Sequence, residues 1–226
     1  LYIHGSGGVP KQVVDRGPVS VKGGAPKAGE GPAHVMAPFG VAMAAVAKPV
    51  NPQRGGVGAF AYLNFSNLAA FRDTFRQGAI EERMFLSALL KLRIDEQVLA
   101  ACAPTLPSGE SAYRFDESKV AAMGQSMGGM YTNMVSAIDK RIKAAVPTGA
   151  GGFWSHMMLV SSRLGETVIR LFIGSNNRLS WIHPALQVVH AGWEAADPLV
   201  YAPRLSRRPL EGHPARDVYE PVGKGD

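Results

Sequence analysis

The sequence predicts an α/β protein whose mostly parallel sheet is covered by helices on both faces. Two observations point to this class. Short apolar runs typical of buried strands alternate with runs of helical periodicity, and glycine-rich turns lie between them. A length of 226 residues suits one large domain, and 46% hydrophobic with 19% charged residues is the composition of a globular chain, not of a disordered or fibrous one.

The composition also narrows the classes of function. A single cysteine, Cys102, excludes an internal disulfide and any metal site made of several cysteines. No run offers the ~18 uncharged apolar residues that a membrane-spanning helix needs. The net charge is +6, but the basic residues are scattered among acids except at Arg204, Arg207 and Arg208. This pattern favours a solvated basic surface over a nucleic-acid site.

In the first part of the chain, the pattern predicts two strands separated by a long loop. Leu1 to Ile3 are apolar and predict the end of a strand. Residues 10–33 are rich in glycine, proline and lysine and predict a loop, and Val41 to Val46 predicts a short buried strand.

The clearest helix is predicted from Asn67 to Leu92, with the Asn67 side chain capping its start. Glu82 is assigned to the charged face of this helix, and Gly78 weakens the helix without ending it. Apolar residues recur at three- and four-residue spacing on the other face: Phe71, Phe75, Ala79, Leu86, Leu89 and Leu90.

The second half of the chain predicts a strand, a turn, a helix and another strand in succession. Lys119–Met123 predicts a short apolar strand, Gly124–Gly129 a tight turn, and Met130–Ile138 a helix. Ala144–Val146 predicts a further buried strand, which Pro147 is expected to end.

The turn Gly124-Gln125-Ser126-Met127-Gly128 matches the pattern G-x-S-x-G between a predicted strand and a predicted helix. A serine hydroxyl is a weak nucleophile and must stand free of its own backbone to meet a base and a substrate. A very sharp turn achieves this but strains the serine, and only glycines fit at the flanking positions. Gly129 then lets the helix pack close to the sheet. The motif therefore predicts a nucleophile at Ser126, with the Met127 N–H available to a developing oxyanion.

A second motif, His4-Gly5-Ser6-Gly7-Gly8, follows the first predicted strand. A glycine-rich turn leaves backbone N–H groups free, and a tetrahedral oxyanion requires two such donors, each contributing roughly 3–4 kcal/mol. We expect the Ser6 N–H to act with that of Met127, with Gly7 as the alternative to Ser6. His4 is expected to support the turn by hydrogen bonding. The Lys-Ser/Thr ending of a phosphate-binding P-loop is lacking.

With these two motifs the chain resembles serine esterases and lipases of the α/β-hydrolase fold, and more narrowly bacterial lipases of the virulence-factor type. The resemblance implies a carboxylic-ester hydrolase that works through an acyl-enzyme, with a small-molecule or lipid ester as substrate and no metal or organic cofactor. It also favours a secreted or envelope location and contact with a lipid surface. It spans most of the chain and rests on His4–Gly8, Asn64-Phe65, Arg72-Asp73, Arg76–Gly78, Met123–Gly129, Pro147–Trp154 and Ala196–Pro198.

The resemblance further implies a triad in the order serine, acid, histidine along the chain. A weak strand is predicted at Asp217–Val222, and the turn Gly223-Lys-Gly-Asp226 after it matches the one that carries the acid. Asp226 is therefore the expected acid, with Asp197 as the alternative.

None of the six histidines follows Asp226. We expect the general base to lie beyond residue 226, and this segment alone to have little esterase activity. The triad Ser126–Asp197–His213 obeys the order and remains a minor alternative.

By the same resemblance, residues 1–226 form a single incomplete hydrolase domain whose first strands and last strand lie outside the segment. Residues 153–200, mostly helical in pattern, are expected to form a lid. The histidines in this region, His156, His183 and His190, are expected to be structural or exposed. The apolar residues of the lid either form an acyl pocket or belong to the core: Phe153, Trp154, Met157, Met158, Leu159, Leu171, Phe172, Trp181 and Trp193.

Other functions remain open beside ester hydrolysis. Acyl transfer to another alcohol would use the same site. A hydrolase-fold binding or scaffold protein without turnover would need no histidine near the serine. A nucleic-acid module is the least favoured, Cys102 is expected to be inert, and the sequence does not predict the oligomeric state.

Overall fold

A computed structural model describes residues 1–64, 66–102, 105–106, 108–160, 170, 174 and 178–223 of the chain. At its centre is a four-stranded, all-parallel sheet in which the strands lie side by side in their order along the chain. The predicted α/β class with a parallel sheet is confirmed. The strands are β1 (Tyr2–Ile3), β2 (Val120–Gln125), β3 (Ile142–Thr148) and β4 (Asp217–Val218).

Helices flank this sheet and fill the connections between its strands. Three short 3₁₀ turns add to them, at Ala37–Phe39, Pro52–Arg54 and Glu194–Ala196. No helix in the described ranges is long and apolar enough to cross a membrane. In chain order the described α-helices are α1 (Gln12–Asp15), α2 (Pro32–Met36), α3 (Leu68–Lys91), α4 (Glu96–Leu99), α5 (Met127–Ile138), α6 (Trp154–Val160), α7 (Pro184–Trp193) and α8 (Pro198–Leu205).

Helix α5 packs against β1, β2 and β3, and it also contacts α3 and α8. It covers the face of β2 that carries Val120, Ala122 and Gly124, all of which are buried. On the other face of β2, Ala121 and Gln125 are exposed. At this strand the expectation of a sheet buried on both faces is therefore not met, because the residues alternate as they do in a strand covered on one side.

Helix α3 has its predicted start, since the Asn67 side chain accepts a hydrogen bond from the Ala70 N–H at 3.0 Å. Phe71 and Phe75 are fully buried and hold an aromatic cluster together. Gly78 has a packing role, because a Cβ there would lie 2.5 Å from the Tyr131 ring of α5. The cluster contains Phe71 against Trp193 at 4.2 Å, Phe71 against Trp154 at 4.9 Å, and Phe75 against Tyr131 at 4.8 Å between ring centroids.

The strand predicted at Val41–Val46 is wrong. This segment is exposed or half-buried and forms no regular strand, although the Tyr2 N–H donates to the Ala44 carbonyl oxygen at 2.8 Å. It lies beside β1 but makes too few ladder bonds to be a strand.

The predicted end of β3 is also wrong, since the strand passes through Pro147 to Thr148. β4 pairs with β3 only at Ala144 and Ala145, so the missing N–H of Pro147 breaks no bond on that side. The strand predicted at Asp217–Val222 is limited to two exposed residues.

Candidate active site

Ser126 stands between the end of β2 and the start of α5 with φ 56° and ψ −124°. A non-glycine residue seldom adopts a positive φ, because its Cβ then crowds the backbone. The surroundings hold this conformation: the Ser126 N–H donates to the Thr148 carbonyl oxygen at 2.9 Å, and its carbonyl oxygen accepts from Met130 at 3.1 Å. The half-buried side chain thus projects from a strained strand-to-helix turn.

The glycines around Ser126 are required by close backbone contacts. A Cβ on Gly124 would lie far inside van der Waals distance of the Gly128 carbonyl group. A Cβ on Gly128 would collide in the same way with the Ile3 carbonyl group of β1, and one on Gly129 would lie 2.9 Å from the Thr148 oxygen. The turn can therefore press against both neighbouring strands.

The opening turn, His4–Gly8, lies directly beside Ser126. It is closed by a hydrogen bond from the Gly8 N–H to the Gly5 carbonyl oxygen at 3.0 Å, and Gly7 has a φ of 69°. A Cβ on Gly5 would lie 3.4 Å from the Ser126 Cβ and 2.9 Å from the Gln125 oxygen. The two motifs found in the sequence are therefore neighbours in the fold.

The expected oxyanion donors are unused in the described part of the chain. There, the backbone N–H groups of Ser6, Gly7 and Met127 donate no hydrogen bond. Gly7 and Met127 line the same small pocket. Met127 is the first residue of α5, a 12-residue helix, so its N–H also lies at the positive end of the helix dipole. These groups can stabilise a negative oxygen placed beside Ser126.

His4 is fully buried, and both of its ring nitrogens are engaged. Nδ1 lies 2.9 Å from the Gly5 carbonyl oxygen, and Nε2 accepts from the Lys48 backbone N–H at 3.4 Å. A neutral ring with its proton on Nδ1 satisfies both contacts. Burial is the main reason that the pKa of His4 is lowered. A ring held in this way supports the opening turn and is not free to take the Ser126 proton.

Three further residues hold the opening turn, and none of them belongs to a motif found in the sequence. The Asn51 amide nitrogen donates to the Gly8 carbonyl oxygen at 2.6 Å. The Tyr62 hydroxyl lies 2.7 Å from the Ser6 hydroxyl. Lys48 reaches His4 through its backbone. These residues lie more than 40 positions from the turn, and no local pattern could have identified them.

Glu82 was predicted on the charged face of α3, and this prediction is wrong. Glu82 and Lys48 form an ion pair in which both side chains are 1% exposed. Burial outweighs the attraction of Glu82 and lowers the pKa of Lys48. The Lys48 ammonium also lies 5.4 Å from the centre of the Tyr131 ring, which adds a cation–π contact.

Of the two candidate acids, Asp197 lies among the described residues. Asp226 lies outside the described residues. Shortly before it in the chain, the Pro221 carbonyl oxygen accepts a hydrogen bond from the Gly149 N–H, in the loop after β3. Asp197 is 1% exposed, and its carboxylate accepts backbone N–H groups at 2.9–3.0 Å from the three residues Phe153, Trp154 and Leu199. Asp197 thus caps the starts of α6 and α8, and its carboxylate is occupied by these backbone contacts.

The alternative triad through His213 does not assemble. The His213 Nδ1 lies 3.0 Å from the Arg216 guanidinium, which donates to the Asp139 carbonyl oxygen before β3 begins. Ser126 follows the opposite end of β2, a six-residue strand parallel to β3. The two sites are therefore separated by roughly the length of a strand, about 20 Å.

The other histidines serve the fold or the surface in the described ranges. His183 caps α7, accepting from the Ala185 N–H at 3.3 Å, and His156 is exposed. The His190 Nδ1 lies 3.8 Å from the Asp197 carboxylate. Among the described residues, none forms a hydrogen bond with the Ser126 hydroxyl.

The apolar residues of the expected lid divide between core and surface. Trp154, Met158 and Trp193 are buried with the aromatic cluster of α3, which favours the core interpretation for them. Trp181 is 47% exposed. Leu171 and Phe172 lie outside the described residues. Among the described residues, no group of three or more metal-ligating side chains is close enough to hold an ion.

We compared the chain with models of protein families, with curated proteins and with solved structures, and none of the three comparisons found a match.

Proposed function

We propose that this protein is a serine hydrolase of the α/β-hydrolase fold that cleaves carboxylic esters. One observation carries the proposal: Ser126 has a strained backbone at a strand-to-helix turn, and the glycine-rich opening turn lies against it. A nucleophile on such a turn, beside free N–H groups from a second loop, is the arrangement that ester-hydrolysing members of this fold use. The parallel sheet is compatible with that fold.

In the proposed reaction, the Ser126 oxygen forms a bond to the ester carbonyl carbon, and its proton passes to a histidine that acts as the general base. The electron pair of the carbonyl bond moves onto oxygen, where the N–H groups of Met127 and of Ser6 or Gly7 stabilise it. The histidine returns the proton to the departing alcohol. Water then releases the acyl group by the same steps in reverse. Asp226 is the proposed acid that orients the histidine.

The proposal is tested by labelling the purified protein, at its full natural length, with a fluorophosphonate and locating the label by mass spectrometry. We expect one label on Ser126 that is lost in Ser126→Ala. Ser118→Ala, at an exposed turn remote from the motifs, is the matched control and should label normally. A folded protein that stays unlabelled would instead favour a binding or scaffold protein, and a label that persists in Ser126→Ala would show that Ser126 is not the labelled nucleophile.

A further inference from the structure

The Ser6 hydroxyl makes a contact that the proposed mechanism does not use. Its oxygen lies 2.7 Å from the phenol oxygen of Tyr62, the usual distance of a well-formed hydrogen bond between two hydroxyl groups. Tyr62 is 8% exposed, and its ring packs edge-on against Phe75 at 5.7 Å and at a tilt against Phe71 at 6.4 Å between ring centroids. Helix α3 therefore fixes the phenol in place, and the phenol in turn fixes the hydroxyl of Ser6.

The chemistry of the two hydroxyls indicates which one donates. A phenol, with a pKa near 10, is a much stronger acid than an aliphatic alcohol and hence the better donor, while the alcohol oxygen is the better acceptor. With Tyr62 donating, the hydrogen of the Ser6 hydroxyl is left to point elsewhere, and within the described ranges Tyr62 is the only hydrogen-bond partner of this hydroxyl. A hydroxyl that accepts a hydrogen bond also becomes a stronger donor.

Ser6 lies in the chain between two glycines that border the candidate site. Ser6 follows Gly5, whose α-carbon borders the Ser126 side chain, and precedes Gly7. Tyr62, Gly7 and Met127 line one pocket, so the phenol, the opening turn and the first residue of α5 face the same small space.

We propose that the Ser6 hydroxyl is a third hydrogen-bond donor to the oxyanion, and that Tyr62 is a positioning residue that orients and polarises it. The proposal rests on the proposed ester hydrolysis through Ser126. When the carbonyl electron pair moves onto oxygen, the Ser6 O–H and the backbone N–H groups donate to that oxygen without losing their protons. The Ser126 proton still passes to the general base.

The test compares Ser6→Ala, Tyr62→Phe and the double variant with the natural protein, using a short p-nitrophenyl ester. Loss of one oxyanion donor lowers kcat by roughly 100-fold, so we expect Ser6→Ala to do this with KM nearly unchanged. Tyr62→Phe should lower kcat by a smaller factor and should have no further effect in the Ser6→Ala background. Ser6→Thr, which keeps a hydroxyl, should recover much of kcat. Tyr219→Phe, at an exposed tyrosine, is the matched control and should behave as the natural protein.

The rate of fluorophosphonate labelling of Ser126 gives a second readout, because the phosphoryl oxygen needs the same donors. A kcat and labelling rate in Ser6→Ala within about twofold of normal would overturn the inference and leave the proposed function intact, provided that Ser126→Ala is inactive. Equal losses in Ser6→Ala and Ser6→Thr, together with a lower melting temperature, would reduce the contact to a structural one and also overturn it. Turnover and labelling that survive in Ser126→Ala, or that are lacking in the natural protein, would overturn the proposed function itself.

Discussion

The backbone conformation of Ser126 costs a non-glycine residue about 1–3 kcal/mol, and the fold must supply that energy elsewhere. Among the described residues, three non-glycine residues have a positive φ: Val50, Ser126 and Phe153. Val50 lines the pocket beside the opening turn, so two of the three border the candidate site. Strain concentrated in this way is typical of sites where a side chain must be held in one direction.

Replacing Ser126 should therefore reveal the strain independently of any activity. Glycine removes the steric cost but loses about 0.5–1 kcal/mol in chain entropy, so we expect Ser126→Gly to be more stable than Ser126→Ala by about 1 kcal/mol. Urea unfolding followed by circular dichroism measures the difference. At Ser118, an exposed residue without a positive φ, the order should be reversed. If the glycine variant at position 126 is less stable than the alanine variant, the backbone of Ser126 is not strained.

At the scale of elements, a buried ion pair connects helix α3 to the opening turn. Glu82 projects from α3 to the Lys48 ammonium, and the backbone N–H of Lys48 reaches the His4 ring. Both charges are withdrawn from water, so each depends on the other for its stability. The pair fixes the position of the helix relative to the candidate oxyanion donors.

Removing only the lysine should be costly for this reason. We expect Lys48→Met to lower the free energy of unfolding by about 3–5 kcal/mol, and the double variant Lys48→Met with Glu82→Leu to recover most of it. Chemical denaturation measures both. Lys27→Met, which breaks a pair with Glu30 at a lysine that is 66% exposed, is the control and should cost less than about 1 kcal/mol. If Lys48→Met lowers the free energy of unfolding as little as the control does, the Lys48–Glu82 pair does not stabilise the fold.

At the scale of the whole molecule, the sequence predicted what is encoded locally and failed where distant segments meet. The Ser126 turn lies within a few residues, so its glycines and its serine could be recognised together. Glu82 was misplaced because a charged residue in a helix is usually exposed, and its partner lies 34 positions earlier. The Ser6–Tyr62 contact was not predicted for the same reason, because its two residues are 56 positions apart in the sequence. The parallel sheet was predicted from short apolar runs, but these runs do not reveal that Ala121 and Gln125 on one face of β2 are exposed.

The stability of the whole protein should depend on pH through His4. Burial lowers the pKa of His4 in the folded state, so the unfolded chain binds the proton more readily. The contribution of His4 is therefore fully present above the unfolded pKa of about 6.5 and is lost as the pH falls below it, with a slope of at most about 1.4 kcal/mol per pH unit.

The pH dependence is measured by urea unfolding of the natural protein and of His4→Gln between pH 7.5 and pH 5. We expect the loss of stability to be smaller in His4→Gln than in the natural protein. His156→Gln, at an exposed histidine, should retain the natural slope. If the free energy of unfolding changes equally with pH in the natural protein and in His4→Gln, His4 does not contribute to the pH dependence.

The carboxylate of Asp197 has a consequence for how this architecture tolerates change. It accepts hydrogen bonds from the N–H groups of Phe153 and Trp154 and from that of Leu199. The two ends of the intervening stretch are therefore held at one carboxylate. We expect changes of length within this stretch to be tolerated only while Asp197 keeps these hydrogen bonds and Trp154 and Trp193 keep their packing against Phe71 of α3.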